Sequence, residues 1–418
     1  MGCMIFLMKM YLIVFIVIIM LYMFRHYYFS YNRVFGKQKI DYHDIIDSDL
    51  PSLTVLLPMH NEEKVAKDIL NALINSQYPK DKMEIIVIND HSEDQTSDII
   101  NYYARIHNYI KIIERNGDLP RGKTYSLNEA LTVAKGSIIV VYDADYIPSK
   151  GNLRNLAINF KDPKVGAVMG RVVPINTGSN LLTRLIDLER SAGYQIDQQA
   201  RYNLNLIPLY GGTVGAFRKD VVLQLGGFDN KILAEDTDLT FNLFTNGYKV
   251  IYSNEAECYE ESPETWESRG QQISRWSKGH NQVLFKYLFK VLKSKNLSFW
   301  QKVDGSLLLF IYLIPFLMLL GYADCLILFF LGEMSILSGS IAILSVFLYN
   351  TFGNFATFFE IGLASFLDGS KDRIKLITLF YFVFVFNIFY ASAGFIDCII
   401  KRNPAKWQKT KRHRKLRS

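Results

Sequence analysis

The chain has 418 residues, 50% of them hydrophobic, 14% aromatic and 21% charged, which excludes a disordered or collagen-like protein and provides chain for two or three domains. Formal net charge is +7, but nine of the 47 Lys+Arg residues crowd into the last 18 positions, with no acid among them. The remainder is close to neutral, so charge gives no argument for a nucleic-acid partner. Cys3, Cys258, Cys325 and Cys398 show no CxxC spacing, which speaks against a disulfide framework and a zinc site.

The first element is an apolar run from Met10 to Phe24, extended back to Cys3 with only Lys9 interrupting it. It is long enough to cross a bilayer, and no small-residue cleavage site follows. Residues 1–30 are therefore expected to form an uncleaved membrane anchor. Arg25, Arg33, Lys37 and Lys39 follow the run against one Lys before it, which predicts an outside N-terminus and a cytoplasmic continuation.

Residues 51–290 alternate between short apolar runs and helical patterns. Leu53–Leu57 predicts a strand, followed by PMHNEE and a helix from Lys64 to about Asn75. Glu84–Ile88 is a second strand, followed by NDHSEDQT and another helix. Tyr109–Glu114 is a third, and Ile138–Tyr142 a fourth that ends on Asp143-Ala144-Asp145. Continuous apolar strands separated by helices predict an α/β domain with a mainly parallel sheet. Ligands of such sheets bind beyond the carboxyl ends of the strands. Glu62, Asp90, Asp94, Asp143 and Asp145 fall there, and so many carboxylates require cations. Glu62 and Glu63 read as a carboxylate pair at a helix N-terminus.

Farther on, Phe285–Trp300 sets Lys286, Lys290, Lys293 and Lys295 among Phe, Leu and Val, the pattern of an interfacial helix leading through a 291–303 linker. No Lys or Arg occurs from Ser306 to Leu367, and Leu376–Ile400 is a further apolar run. Residues 304–400 thus have room for about four membrane helices, and 401–418 form a basic cytoplasmic tail. Lys371, Arg373 and Lys375 pull against that count, because they predict a cytoplasmic loop between these regions; a re-entrant segment would reconcile the two signals.

Two readings compete for the loop Gly117-Asp-Leu-Pro-Arg-Gly122-Lys123-Thr124. It has the spacing of a phosphate-cradling NTPase loop. Against this, Pro120 removes one amide from any phosphate nest, and the earlier acidic loops are left without a role. The rival reading is a nucleotide-sugar transferase, in which Asp143 and Asp145 present carboxylates to a divalent cation at the diphosphate. Ala234-Glu235-Asp236 and Gln272-Ile-Ser-Arg275-Trp276 then follow in order. A membrane transporter using the 306–400 region is a third class, but it leaves the soluble motifs unexplained.

The ordered set PMHNEE, VINDHSEDQT, RGKTYSLNEAL, VVYDAD, GGTVGAFRK, AEDTDLTFNLFTNGYKV and QQISRW resembles family 2 glycosyltransferases over about residues 51–280. It is most similar to the processive membrane synthases of poly-N-acetylglucosamine, chitin, hyaluronan and cellulose, and the terminal KWQKTKR resembles the tails of poly-N-acetylglucosamine-synthase-like members. The resemblance implies a GT-A-type nucleotide-sugar-binding domain and a UDP-sugar donor. It implies that Asp90 binds uracil or ribose, with Asn89 standing where the family has a first Asp. Lys123 would help hold the nucleotide, Asp143 and Asp145 the diphosphate and an Mg2+ or Mn2+ ion, and Asp236 would be the catalytic base. Glu235, Gln272 and Trp276 would lie near the acceptor, and Arg275 near the pyrophosphate.

The implied reaction is inverting transfer of a sugar, N-acetylglucosamine by preference, onto a growing β-linked glycan, the alternative being a single transfer to a lipid carrier or short acceptor. The implied partners are the donor, the glycan acceptor, the lipid bilayer of the cell membrane and a small membrane subunit, with no nucleic acid. The membrane region would give the nascent glycan its exit. His280 reads as a packing residue rather than a metal ligand, and Gly211-Gly212 either as backbone close to the acceptor or as an ordinary turn.

Overall fold

The computed structural model describes residues 2–39, 46–335 and 355–400. Its centre is an eight-stranded sheet: β1 (Leu53–Met59), β2 (Met83–Asp90), β3 (Ile110–Arg115), β4 (Ile138–Val141), β5 (Ile147–Pro148), β6 (Val165–Pro174), β7 (Gly215–Arg218) and β8 (Lys249–Glu260). The spatial order is β3-β2-β1-β4-β7-β6-β8-β5.

The first four strands form the parallel half that the apolar runs predict. β1 and β2 read as nearly continuous apolar runs because helices cover both sheet faces, and the side chains divide between them with period two. Val55, Leu57, Ile85 and Val87 pack under Ile69, Leu70 and Leu73 on one face. Leu56, Ile86 and Ile88 pack under Leu127, Leu131 and Phe241 on the other. The second half is mixed. β7 enters antiparallel to both β4 and β6, while β6 and β8 run parallel with register shifts at Val165/Ala167 and Gly170/Arg171.

A third cluster joins this domain to the flanking helices. Phe29 of the N-terminal helix Gly2–Phe35 packs with Leu185, Leu188, Ile196, Ile361, Phe380 and Val383. Buried charges run alongside. Arg25 bonds Asp304 at 3.0 Å and Asp197 at 3.1 Å, Arg201 bonds Asp304 at 2.6 Å, and His26 Nδ1 lies 2.5 Å from Glu360. Buried ions survive only when paired, so the N-terminal helix is held at a fixed height against the domain.

Among the described residues, Gly2–Phe35 and Asp372–Ile400 are long and apolar enough to cross a membrane, and Phe299–Phe310 with Ile314–Phe330 makes a third candidate bent by 68°. Ala356–Leu367 is apolar but shorter. Residues 336–354 and the tail 401–418 lie outside those described, and with them part of the expected helix count. The loop carrying Arg373 is tied to the domain: Arg373 pairs with Asp187, and Asp368 receives Arg171 at 2.6 Å and Gln195 at 2.5 Å. This loop is therefore packed against the domain.

The interfacial segment needs correction. Trp266–Lys293 is one continuous helix, and Ser298 opens a separate one at Phe299 through a capping box with Gln301. Lys286 bonds Asp229 at 2.9 Å and Asp238 at 2.7 Å, while Val283, Tyr287 and Val291 enter the domain core. Phe285, Phe289 and Leu292 remain as an exposed apolar strip on the other side.

Candidate active site

The predicted site residues gather where the strands end, and the backbone there is strained. Asn61, His91 and Val214 take φ of 53°, 58° and 53°, a region that non-glycine residues rarely enter and that is uncommon above all for a β-branched side chain. They follow β1, follow β2 and precede β7.

Asp90 closes β2. Its Oδ1 accepts from His91 Nδ1 at 2.9 Å and Arg115 Nε at 3.2 Å, and its Oδ2 accepts the Gly122 amide at 2.9 Å. Arg115 also bonds the Pro120 carbonyl at 2.7 Å. The loop that imitates a phosphate cradle is thus wrapped around a carboxylate, which would repel a phosphate placed there. Beside it, Asn89 Nδ2 donates to Glu114 at 2.7 Å, and its buried Oδ1 has no partner.

Lys123, first residue of the helix Lys123–Val133, joins the two sides of the cleft. Its Nζ lies 2.9 Å from Asp143 Oδ1, 3.0 Å from Glu235 Oε1 and 2.9 Å from the Gly212 carbonyl. Burial alone would lower its pKa, but the Asp143 and Glu235 carboxylates override burial and hold it above the ordinary lysine value. Asp143 sits just past β4 and keeps 36% of its side chain exposed, with its amide donating to Thr213 Oγ1 at 3.1 Å; Asp145 is buried.

Asp236 stands in the first turn of the helix Glu235–Thr245. Its Oδ1 accepts from the Thr237 amide at 2.6 Å and the Thr237 hydroxyl at 3.2 Å. Gly212, at φ 68°, passes so close that a Cβ there would lie 3.0 Å from Asp236 Cβ. Gly212 is therefore required by contact with the carboxylate, whereas a Cβ on Gly211 would meet the Met169 side chain. Burial raises the pKa of Asp236 and of Glu235, with Lys123 opposing the rise in both.

Gln272, Arg275 and Trp276 share the helix Trp266–Lys293. Gln272 Oε1 accepts from Arg269 at 2.9 Å. The Trp276 ring has the guanidinium of Arg190 at 5.1 Å and that of Arg269 at 5.6 Å from its centroid, so cations occupy aromatic surface that a sugar would otherwise use. Arg275 is half-buried, and no ion pair or hydrogen bond engages it among the described residues.

Sequence reasoning missed the brace behind these residues. Tyr146 donates to Glu260 Oε2 at 2.6 Å, and Arg190 clasps the same carboxylate at 2.7 and 3.2 Å. Asp145 is thereby linked through Tyr146, Glu260 and Arg190 to Trp276. Arg269, fully buried, pairs with Glu189 at 2.5 Å. No local string marks any of these partners.

Asp143 and Asp145 offer hard oxygen donors of the kind Mg2+ or Mn2+ prefers, with diphosphate oxygens and water left to complete a shell. The tighter trio of possible ligands among the described residues, His26, Asp197 and Glu360, lies elsewhere and is already engaged by Arg25 and by the His26–Glu360 contact.

Comparison with known proteins gives this geometry its class. Residues 51–279 match the family described as "Glycosyltransferase like family 2", so the chain belongs to that family and is a transferase. It is 33% identical over 405 residues to the probable glycosyltransferase YdaM of Bacillus subtilis (strain 168), covering 94% of this chain and 93% of that one. It is 27% identical over 296 residues to the poly-β-1,6-N-acetyl-D-glucosamine synthase of Staphylococcus aureus (strain COL), covering 70% of each. Among solved structures, the mannosyltransferase PcManGT of Pyrobaculum calidifontis, in complex with GDP-Man and Mn2+, superposes with a TM-score of 0.61 at 19% identity, over 94% of this chain and 99% of that one. The fold is the GT-A-type arrangement that the motif order implied.

Proposed function

We propose that this transferase is membrane-bound, with its catalytic domain cytoplasmic, and moves a sugar from a UDP-sugar to a growing β-linked polysaccharide with inversion. The observation that carries the reading is Lys123 bridging Asp143 and Glu235, which joins the diphosphate-side motif and the base-side motif in one cleft. N-acetylglucosamine is the proposed sugar, by similarity to the Staphylococcus aureus synthase.

Asp236 takes the proton of the acceptor hydroxyl as that oxygen attacks the anomeric carbon. Its raised pKa suits a base, and Thr237 orients it. Arg275, uncommitted to any carboxylate, is the cation for the departing diphosphate. Asp143 and Asp145 would hold a divalent ion, which when bound supplies positive charge at the diphosphate. Lys123 then keeps the Glu235–Asp236 turn and the strand-end aspartates at a fixed separation.

The test is transfer from labelled UDP-sugars by isolated membranes, with linkage analysis of the product. UDP-N-acetylglucosamine giving a long β-linked polymer is the expected result. A single labelled sugar on a lipid would establish the alternative acceptor class, and transfer only from a GDP-sugar would overturn the donor.

A further inference from the structure

The helix that carries Gln272 and Trp276 also carries His280, and spacing of four residues sets these three on one helical face. Gly279 brings that face against the base. A Cβ on Gly279 would lie 2.8 Å from the Ala234 amide nitrogen and 2.9 Å from Ala234 Cβ, so only glycine admits this approach. One turn on, Gln282 Oε1 accepts the Leu233 amide at 2.9 Å. The two contacts clamp Leu233-Ala234, the residues immediately before Glu235-Asp236, onto the helix.

His280 lies between the clamps. Its Nε2 is 3.4 Å from Thr237 Oγ1, and its ring packs at a 41° tilt against Tyr312, centroids 4.7 Å apart, at the bend between the helices Phe299–Phe310 and Ile314–Phe330. The Thr237 hydroxyl spends its proton on Asp236 Oδ1, so it has only lone pairs to offer His280. The imidazole must then carry its proton on Nε2. Burial pushes the His280 pKa down to about 4, so the ring is neutral at physiological pH. A neutral donor holds Thr237 without placing a positive charge beside the base, where it would lower the basicity of Asp236.

We propose that His280 is a positioning residue: through Thr237 it fixes the Asp236 carboxylate at the angle needed to take the acceptor proton, with Tyr312 fixing the imidazole in turn. The proposal rests on the reading of Asp236 as the base.

The experiment is steady-state kinetics on the full-length enzyme in membranes, with UDP binding measured in parallel, for His280→Ala, His280→Gln, Thr237→Val and the His280→Ala/Thr237→Val double variant. Glutamine places an amide donor where Nε2 was. His280→Ala is expected to lower kcat about 10-fold, a modest misplacement on the scale of catalytic positioning, with donor KM and UDP binding unchanged. His280→Gln should recover most of the loss, and the double variant should be no slower than Thr237→Val alone, because both act through one contact. The proposal is overturned if kcat is unaffected, if glutamine does no better than alanine, if the two losses multiply, or if UDP binding falls with kcat. Asp236→Asn, run alongside, separates the two claims: full activity there removes the base assignment itself, whatever His280 variants do.

Discussion

The two halves of the catalytic sheet were built by different means. In the β1–β4 half each functional loop follows a strand of its own, and apart from Lys123, which reaches Gly212 and Glu235, its contacts come from nearby strand ends and loops. Asp90 bonds the adjacent His91 and reaches Arg115 and Gly122 across one sheet register. In the β6–β8 half the groups that matter meet across long stretches of chain. Tyr146 and Glu260 are 114 residues apart, and Arg190 and Glu260 are 70 apart. The proposed donor side is thus mainly a set of local turns on a regular frame, while the proposed acceptor side is backed by a buried polar brace of Tyr146, Glu260 and Arg190. Networks of that kind lose more than one bond when one member is removed.

Four substitutions sharpen the contrast. The largest effect is expected at Asp145→Asn, which removes a proposed metal ligand and should abolish metal-dependent transfer. Full activity that remains sensitive to a chelator would refute the assignment. Next is Gly212→Ala, whose Cβ meets Asp236 in a backbone conformation that alanine resists. A fall in kcat of about 100-fold, the cost of misplacing a catalytic group, is expected with folding intact by circular dichroism. An unchanged kcat would show that the turn does not hold the carboxylate.

Arg190→Met should matter less, about 10-fold in kcat by the same positioning argument. It leaves Glu260 without its ion-pair partner, bonded still by Tyr146, and frees one guanidinium from Trp276. A matched change in the parallel half, Glu114→Gln, alters the contacts with Asn89 and Ser97 and should change kcat by less than about twofold, on the scale of a surface substitution. Equal losses in the two would erase the distinction between the halves.

The smallest effect is a displacement of the pH profile. As the proposed base, Asp236 would work only when ionised, so transfer should be present above its pKa and lost as pH falls through it. Burial raises that pKa, which puts the acid limb above the ordinary Asp value of about 4. Thr237→Val removes a hydrogen bond that favours the anion and should move the limb higher still. A limb that moves to lower pH would mean that another group sets it.

What the sequence made legible follows the same division. Apolar strands and strand-end carboxylates are contiguous strings that periodicity marks, whereas the segments around Asp236 and Trp276 were singled out by resemblance to the family. The antiparallel entry of β7 was not legible, because Gly215–Arg218 is too short to declare a direction. The Lys-rich stretch after Phe285 has the period of a lipid-facing helix, yet Lys286 turned inward to Asp229 and Asp238, and Ser298 capped a new helix. Local pattern cannot distinguish a lysine that faces headgroups from one with two acids waiting 48 and 57 residues earlier. Arg190, Glu260 and Tyr146 carried no signal at all, since an ion pair leaves no trace in the spacing of either partner.

The central claim is that one cleft contains a donor-binding side and a separate base, joined by Lys123. Asp236→Asn tests it most directly, with UDP binding followed by calorimetry and transfer from the same UDP-sugar followed in parallel. The account predicts UDP binding close to that of the unaltered enzyme while transfer falls at least about 100-fold, the scale of a lost general base. Loss of UDP binding in step with transfer would contradict it and make Asp236 part of the nucleotide site.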